Sequence, residues 1–311
     1  MHRASRLLFT LLLGIGPVAA GPSTRPVASV AETPGAPDPP VYHRATLKPV
    51  AAAAAAPDIP FHDYDFQWEQ QLLELANQAR QQAGLQPLAL DSGLSHAARI
   101  HAKAMLEAGQ LSHRFDGEPA LPNRLAVATK LQLDQEGENV AFDHDAAQGH
   151  EHLMLSPPHR ANLLNPAYNV VGLAVVHNLG VGGEDRLYIV QDFGHALPSY
   201  TPAEAKNRVA SAVNRTRRQA SGADLKRHDL PTADDAACSM AQADKLGTSP
   251  IQELAKRYSV LTYTTLLPDQ LPEGTTNAIA GHDLRSFSVG TCYARTETYA
   301  TGIYWVVVTL E

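Results

Sequence analysis

An α+β sandwich followed by a shorter second α+β unit is the fold this sequence predicts, and three observations predict it. Apolar residues recur at helical spacing early in the compact part of the chain, then give way to β-branched runs of strand character. Helices placed first and a hairpin placed last argue for an α+β arrangement and against βαβ alternation. The C-terminal part of the chain then echoes the same succession of residues.

The opening MHRASRLLFTLLLGIGPVAA has Arg3 and Arg6, then a short apolar run from Leu7 to Ile15, then the small residues Val18, Ala19 and Ala20. These are the three parts of a cleavable secretory signal peptide at 1–20. The run falls short of the ~20 apolar residues that span a bilayer, and no cysteine near the cleavage point offers a lipid anchor. The mature chain is expected to start near Gly21, outside the cytosol. Residues 21–62 are rich in Pro, Ala, Ser and Thr, including the run Ala51 to Ala56, and too poor in large apolar side chains to offset the entropy of ordering. They read as a disordered linker ahead of a first unit at 63–198 and a second at 199–311.

In the first unit, Trp68, Leu72, Leu75, Ala76 and Ala79 lie at helical spacing, and Gly84 is a candidate C-cap. A second helix starts at Asp91 or Ser92 and ends at Gly109. Leu94, Ala98, His101 and Met105 share one of its faces, so His101 is expected as a packed, hydrogen-bonded core histidine. A third apolar helix runs from Ala146 to Leu155, stopped by Pro157 and Pro158. The runs NVVGLAVVHN and RLYIVQDFG, joined by the glycine-rich LGVGGED, then read as an antiparallel hairpin.

The internal echo pairs Asn77 and Arg80 with Asn214 and Arg217, Gly172 with Gly290, and Tyr188 with Tyr304. A degenerate duplication accounts for it; two unrelated segments sharing helix and hairpin patterns are the alternative.

The formal charge is −7, and losing Arg3 and Arg6 with the signal takes it to −9 (−7 − 2). No basic stripe is present to displace counterions from a nucleic acid, so nucleic-acid partners are not expected. Both cysteines, Cys238 and Cys292, lie in the second unit. In an oxidising compartment an even pair reads as a disulfide, and the first unit has no thiol for catalysis or zinc.

Three polar islands stand out in the first unit: LSHRFDGE with His113, EGENVAF with Glu138 and Asn139, and SPPHRANLLNP with Ser156, His159, Arg160 and Asn162. Two imidazoles and a carboxylate, if brought together, hold a divalent cation or pass a proton near neutral pH. Spacing does not bring them together, since His113 and His159 lie far apart in sequence and share no HExxH helix. Capping of the next element by Glu138 and Asn139, or of a helix start by Arg160 and Asn162, is the plainer alternative. His144, His150 and His152 crowd one helix and read as surface residues.

Taken in order, N-x-x-R, A-R-x-H-A-x-x-M, S-H, G-E-N-V-A, S-P-x-H-R-x-N-L-L and the terminal hairpin resemble the CAP superfamily, which includes cysteine-rich secretory proteins, antigen five and pathogenesis-related proteins. The likeness is strongest to its bacterial secreted SCP-domain branch and covers roughly Asp63 to Gly194. It implies an α-β-α sandwich with a concave cleft, His113, Glu138 and His159 occupying three of four cleft positions. Where the resemblance implies a Trp followed three residues later by a second acidic residue, Glu, in animal and plant members, this chain has Leu153 and Ser156, which leaves Glu151, one turn earlier, as the candidate. The second unit has no S-H, G-E-N or H-R-x-N, so it is expected to be structural or to present a partner-binding surface. The family fold also packs the helix that would hold Cys238 against the strand that would hold Cys292.

The resemblance implies a secreted, non-enzymatic binding module whose cleft holds a divalent metal such as zinc (through His113 and His159), a lipid or a peptide. One alternative is a metal-dependent hydrolase with Glu138 as general base, although the chain has no G-x-S-x-G or HExxH motif and no catalytic cysteine. The other is a cell-surface interaction protein that displays both units on the linker. No transmembrane segment is expected after signal cleavage.

Overall fold

The computed structural model describes residues 9–10, 64–179 and 185–311. The signal peptide, the linker and the glycine-rich turn of the hairpin lie outside these residues, except that Phe9–Thr10 form a two-residue strand, β1. Among the described residues no helix is long and apolar enough to cross a membrane.

The first unit opens with α1, Phe66–Gln82, capped by Asp65, whose carboxylate accepts from the Gln67 and Trp68 N–H groups at 3.0 Å. Leu72, Ala76 and Arg80 make its buried stripe at i, i+4 spacing, and Gly84 follows in the left-handed region. Strand β2 is Ala89–Leu90, and α2 is Ser92–Ala108 between an Asp91 N-cap and left-handed Gly109. Then come α3 (Leu121–Ala128), β3 (Leu133–Asp143), α4 (Ala146–Leu155), α5 (Pro157–Leu163), β4 (Val170–Leu179) and β5 (Asp185–Ala196).

Two sequence expectations change here. The EGENVAF segment is the middle of β3, not a loop or a cap. Pro157 and Pro158 do stop α4, but they also open α5, because a first-turn proline has no helical N–H to lose.

The sheet runs β2-β4-β5-β3, leaving β3 at an edge. One face packs on α2 through Ala98, Ala102 and Met105 against Val140, Ala174 and Val190. The other packs on α1 and α4 through Leu72, Ala76 and Leu153 against Ala141, Leu173 and Ile189. The result is an α-β-α sandwich. A Cβ at Gly172 would overlap the Leu94–Ser95 backbone, so glycine there lets α2 lie directly on β4.

The second unit contains α6 (Pro202–Ser221), β6 (Lys226–Arg227), α7 (Pro231–Ala243), α8 (Ser249–Ala255), β7 (Ser259–Thr265), α9 (Thr275–Ile279), β8 (Ser286–Ala294) and β9 (Ile303–Leu310). Its sheet runs β1-β7-β9-β8-β6. Without β1 this is the first sheet's order, with β6, β8, β9 and β7 in the places of β2, β4, β5 and β3.

Side chains agree with that correspondence. Asn77 exchanges two hydrogen bonds with the Leu88 backbone, and Asn214 does the same with Leu225. Arg80 donates to the carbonyls of Gln86, Leu163, Asn165 and Tyr168, and Arg217 to those of Ile279 and Gly281. A Cβ at Gly290 would overlap the Ala233–Asp234 backbone, as at Gly172. The pairing of Tyr188 with Tyr304 is corrected. Tyr188 lies four residues from Gly172 along the ladder and answers to Ile303, four from Gly290. Tyr304 is one residue out of step and therefore faces the opposite layer.

Cys238 on α7 and Cys292 on β8 form a disulfide, with Cα atoms 5.0 Å apart. The two units touch through Arg295, which donates to the carbonyls of Ala126, Thr129 and Leu131, and through Gln132 and Thr301.

Each unit carries one tryptophan, Trp68 and Trp305, so unfolding can be followed separately in single-tryptophan variants. Replacing Cys238 and Cys292 by alanine is expected to cost about 2–4 kcal/mol in the second unit, seen as an earlier urea midpoint of Trp305 emission. An unchanged Trp305 midpoint contradicts a stabilising bond.

Candidate functional site

The site forms around the edge strand β3, where alternation sends neighbouring side chains to opposite faces. Glu138 points to the α2 face and is 9% exposed; Asn139 points to the α1 face and is fully buried. A carboxylate withdrawn from water this far needs charged or N–H partners. Glu138 has both: Arg124 of α3 donates to Oε2, and His113 Nδ1 donates to Oε1 at 2.8 Å.

Arg124 is the hub. It also pairs with Glu118 at 3.1 Å and donates to the His113 carbonyl at 3.1 Å. His101, fully buried, sits behind with Nδ1 2.7 Å from Glu118 and Nε2 2.9 Å from the Ser112 carbonyl oxygen. The sequence reading of His101 as a core histidine is what the structure has. By bonding the loop that carries His113, His101 and Arg124 fix where that imidazole stands.

Asn139 donates to the His159 carbonyl and to Gln191, both at 3.1 Å. Asn162 donates to Asn139 Oδ1 at 2.9 Å and to the Glu138 carbonyl at 3.1 Å. These amides tie α5, and with it His159, to β3. Arg160 is exposed on α5, and Ser156 is its N-cap without a side-chain bond. Glu151 is exposed on α4, and no hydrogen bond among the described residues joins it to His113, Glu138 or His159.

The two histidines are tuned in opposite directions. The Glu138 hydrogen bond raises the His113 pKa, outweighing partial burial and the nearby Arg124 charge. Burial lowers the His159 pKa, and the positive charge of His113 lowers it further. His159 is placed by its α5 backbone, whose carbonyl accepts from Asn139 of β3, while His113 is placed by Glu138 of the same strand. Among the described residues no cluster of three or more His, Cys, Asp and Glu is arranged to hold a metal. Two imidazoles are what the cleft offers: His113 Nδ1 is turned to Glu138, which leaves Nε2 as its free ring nitrogen.

Asp192 is a member that the sequence reading missed. It pairs across the ladder with Glu138, is fully buried, and neither carboxyl oxygen has a hydrogen-bond partner. Burial pushes its pKa well above the usual range, helped by the Glu138 charge and opposed by Arg124. The available sign was an acid at an inward position of the apolar run LYIVQDF. Arg124 and Glu118 gave no such sign. His150 is corrected too: it is half-buried, its Nδ1 lacks a partner, and desolvation lowers its pKa. His152 is exposed but bonds buried Asp143 at 2.6 Å.

Residues 73–193 match the family model of the cysteine-rich secretory protein family, CAP. This segment is a CAP domain. The uncharacterized protein YkwD of Bacillus subtilis is 29% identical over 112 residues, 36% of this chain and 43% of that protein. Among solved structures, an extracellular protein containing an SCP domain from Bacillus anthracis is 28% identical with a TM-score of 0.36, over 42% of this chain and 40% of that one. A cysteine-rich secretory protein from Staphylococcus aureus is 24% identical with a TM-score of 0.34, over 42% of this chain and 38% of that one. The chain therefore spans less than half the length of each of these three proteins. The cleft described above lies inside the CAP domain, and the second unit lies outside it.

Titration of the metal-free CAP domain cleft by NMR is expected to give a His113 midpoint above the free value of about 6.5 and a His159 midpoint below it. Because the His113 value is raised by folding, its pairing with Glu138 stabilises fully below about pH 6.5 and fades as pH rises through the folded midpoint. Glu138→Gln should lower the His113 midpoint, and His113→Ala should raise that of His159. A His113 midpoint at or below 6.5 contradicts the pairing.

Proposed function

We propose that this is a secreted binding protein whose CAP-domain cleft holds a divalent cation such as zinc between His113 and His159, with coordination positions left for a lipid or peptide ligand. The observation that carries the reading is the engagement of Glu138. One oxygen accepts from Arg124 and the other from His113, so both are already engaged and the carboxylate serves to orient an imidazole. That favours binding over hydrolysis. Export follows from the signal-like N-terminus and accords with the extracellular SCP-domain protein of Bacillus anthracis among the relatives.

The second unit, on this proposal, is a degenerate copy of the first. The matched sheet order, the paired Asn and Arg braces and the two close-approach glycines support it. At the places of Glu138, Asp192 and His101 the ladders and helices set Thr262, Val307 and Met240, all buried. The copy has exchanged the two acids and the histidine for a threonine and two apolar side chains.

Calorimetry with zinc is expected to show binding that the double variant His113→Ala/His159→Ala abolishes without unfolding the chain. Protons compete for the same nitrogens, so affinity should fall as pH drops, the loss setting in while pH is still above 6.5 because His113 holds its proton more tightly than usual. Unchanged zinc affinity in the double variant contradicts the cation site. The zinc-loaded protein should leave a peptide and ester panel intact; turnover that His159→Ala removes would favour the hydrolase instead.

A further inference from the structure

We propose that the groove between α6 and β6 in the second unit is a binding site for a phosphate-bearing ligand. The groove encloses about 380 Å³ and is lined by Asn207, Ser211, Arg215, Arg218 and Arg227 over the buried ring of Phe287. That volume is within the range of small-molecule sites and exceeds what a bare anion fills. Three guanidinium groups converge there on a chain whose net charge is −7.

Each guanidinium is steadied by a separate anchor. Arg227 Nη1 donates to Asn207 Oδ1 at 2.7 Å, which links β6 to α6. Arg215 Nη2 donates to the Asp269 carbonyl at 2.8 Å. Arg218 Nη1 bonds both oxygens of Asp224, at 3.0 and 2.9 Å. Asp224 neutralises one charge, and among the described residues the other two guanidinium groups donate to neutral oxygen acceptors. Every guanidinium keeps further N–H donors that bond no described residue. Groups that are permanently charged and already oriented suit the tetrahedral oxygens of a phosphate, which takes paired N–H donors.

The first unit shows what the groove replaces. The two Asn braces align residue 77 with 214 and residue 88 with 225. On that alignment Ala210 and Ser211 stand where the first unit has Leu73 and Glu74, so the helix face has been cut back. Arg215, Arg218 and Arg227 stand where it has Gln78, Gln81 and Leu90. Five substitutions on one surface thus open a space and supply three positive charges. The same unit lost the His-Glu-His set, so its ligand differs in kind from that of the cleft. The groove's volume exceeds that of a bare phosphate and so leaves room for the organic part of a phosphate ester. The comparison rests on reading the second unit as a copy of the first. A crystal structure in which α6 with β6 fails to superpose on α1 with β2 would remove that reading, and the binding result alone would then decide the groove.

The test is calorimetry on the full chain at low salt with glycerol phosphate and inorganic phosphate, and with acetate as the carboxylate control. Glycerol phosphate should bind at least about tenfold more tightly than acetate, and Arg215→Gln/Arg227→Gln should weaken it by at least about tenfold. His113→Ala/His159→Ala should leave it unchanged. Arg227→Leu, which restores the first unit's residue, should reproduce most of the loss. Phosphatidylglycerol vesicles separate the two sources of the ester. Sedimentation with vesicles that Arg227→Leu abolishes assigns a membrane headgroup, and no sedimentation with glycerol phosphate still bound assigns a soluble ester. Equal affinity for acetate and glycerol phosphate, or affinity unaltered in the Arg215→Gln/Arg227→Gln variant, would overturn the proposal.

Discussion

The pairing of Glu138 with Arg124 is the constraint around which the CAP domain is arranged. Strand alternation drives the Glu138 side chain into the layer between β3 and α2, beside the equally buried Asp192. Two acids at that depth are tolerable only with a fixed cation and a proton to share among them. Arg124 supplies the cation, and burial beside the Glu138 charge raises the pKa of Asp192. Removing Arg124 would leave Glu138 buried with only the His113 imidazole in hydrogen-bond contact and His101 3.9 Å away.

From that pair the contacts lead outward in both directions. Toward the cleft, Arg124 holds Glu118 and the His113 carbonyl, so the loop between α2 and α3 is fixed by the group that satisfies Glu138. Away from it, the C-terminal end of α3 is held by Arg295 of the second unit through three carbonyls. The second unit therefore braces the helix that carries the hub of the first. In the second unit's own core, Thr262, Val307 and Met240 are buried.

Much of this was legible in the sequence, for definite reasons. Helices α1, α2 and α4 announced themselves by periodicity and caps, and the β4–β5 hairpin by its β-branched runs. Helix α3 did not, because its eight residues carry no side-chain cap and only a short apolar stripe. Strand β3 was hidden because its middle is polar: Glu138 and Asn139 are buried by partners distant in sequence, which hydropathy cannot register. The convergence of His113 on Glu138 likewise depends on Arg124 and His101, and no local spacing encodes them. The slip between Tyr188 and Tyr304 has the same root. A motif comparison aligns aromatic residues, whereas a sheet fixes register by which face is buried.

The proposed cation site depends on His113 being oriented by a buried carboxylate so that one ring nitrogen is presented to the cleft. The most direct measurement is the tautomer of His113, read from its ring-nitrogen NMR shifts in metal-free protein above its midpoint. The proton is expected on Nδ1, donated to Glu138, with the lone pair on Nε2 directed into the cleft. A proton found on Nε2 would contradict it, because Glu138 would then not be orienting the ring and the cleft would offer no prepared ligand.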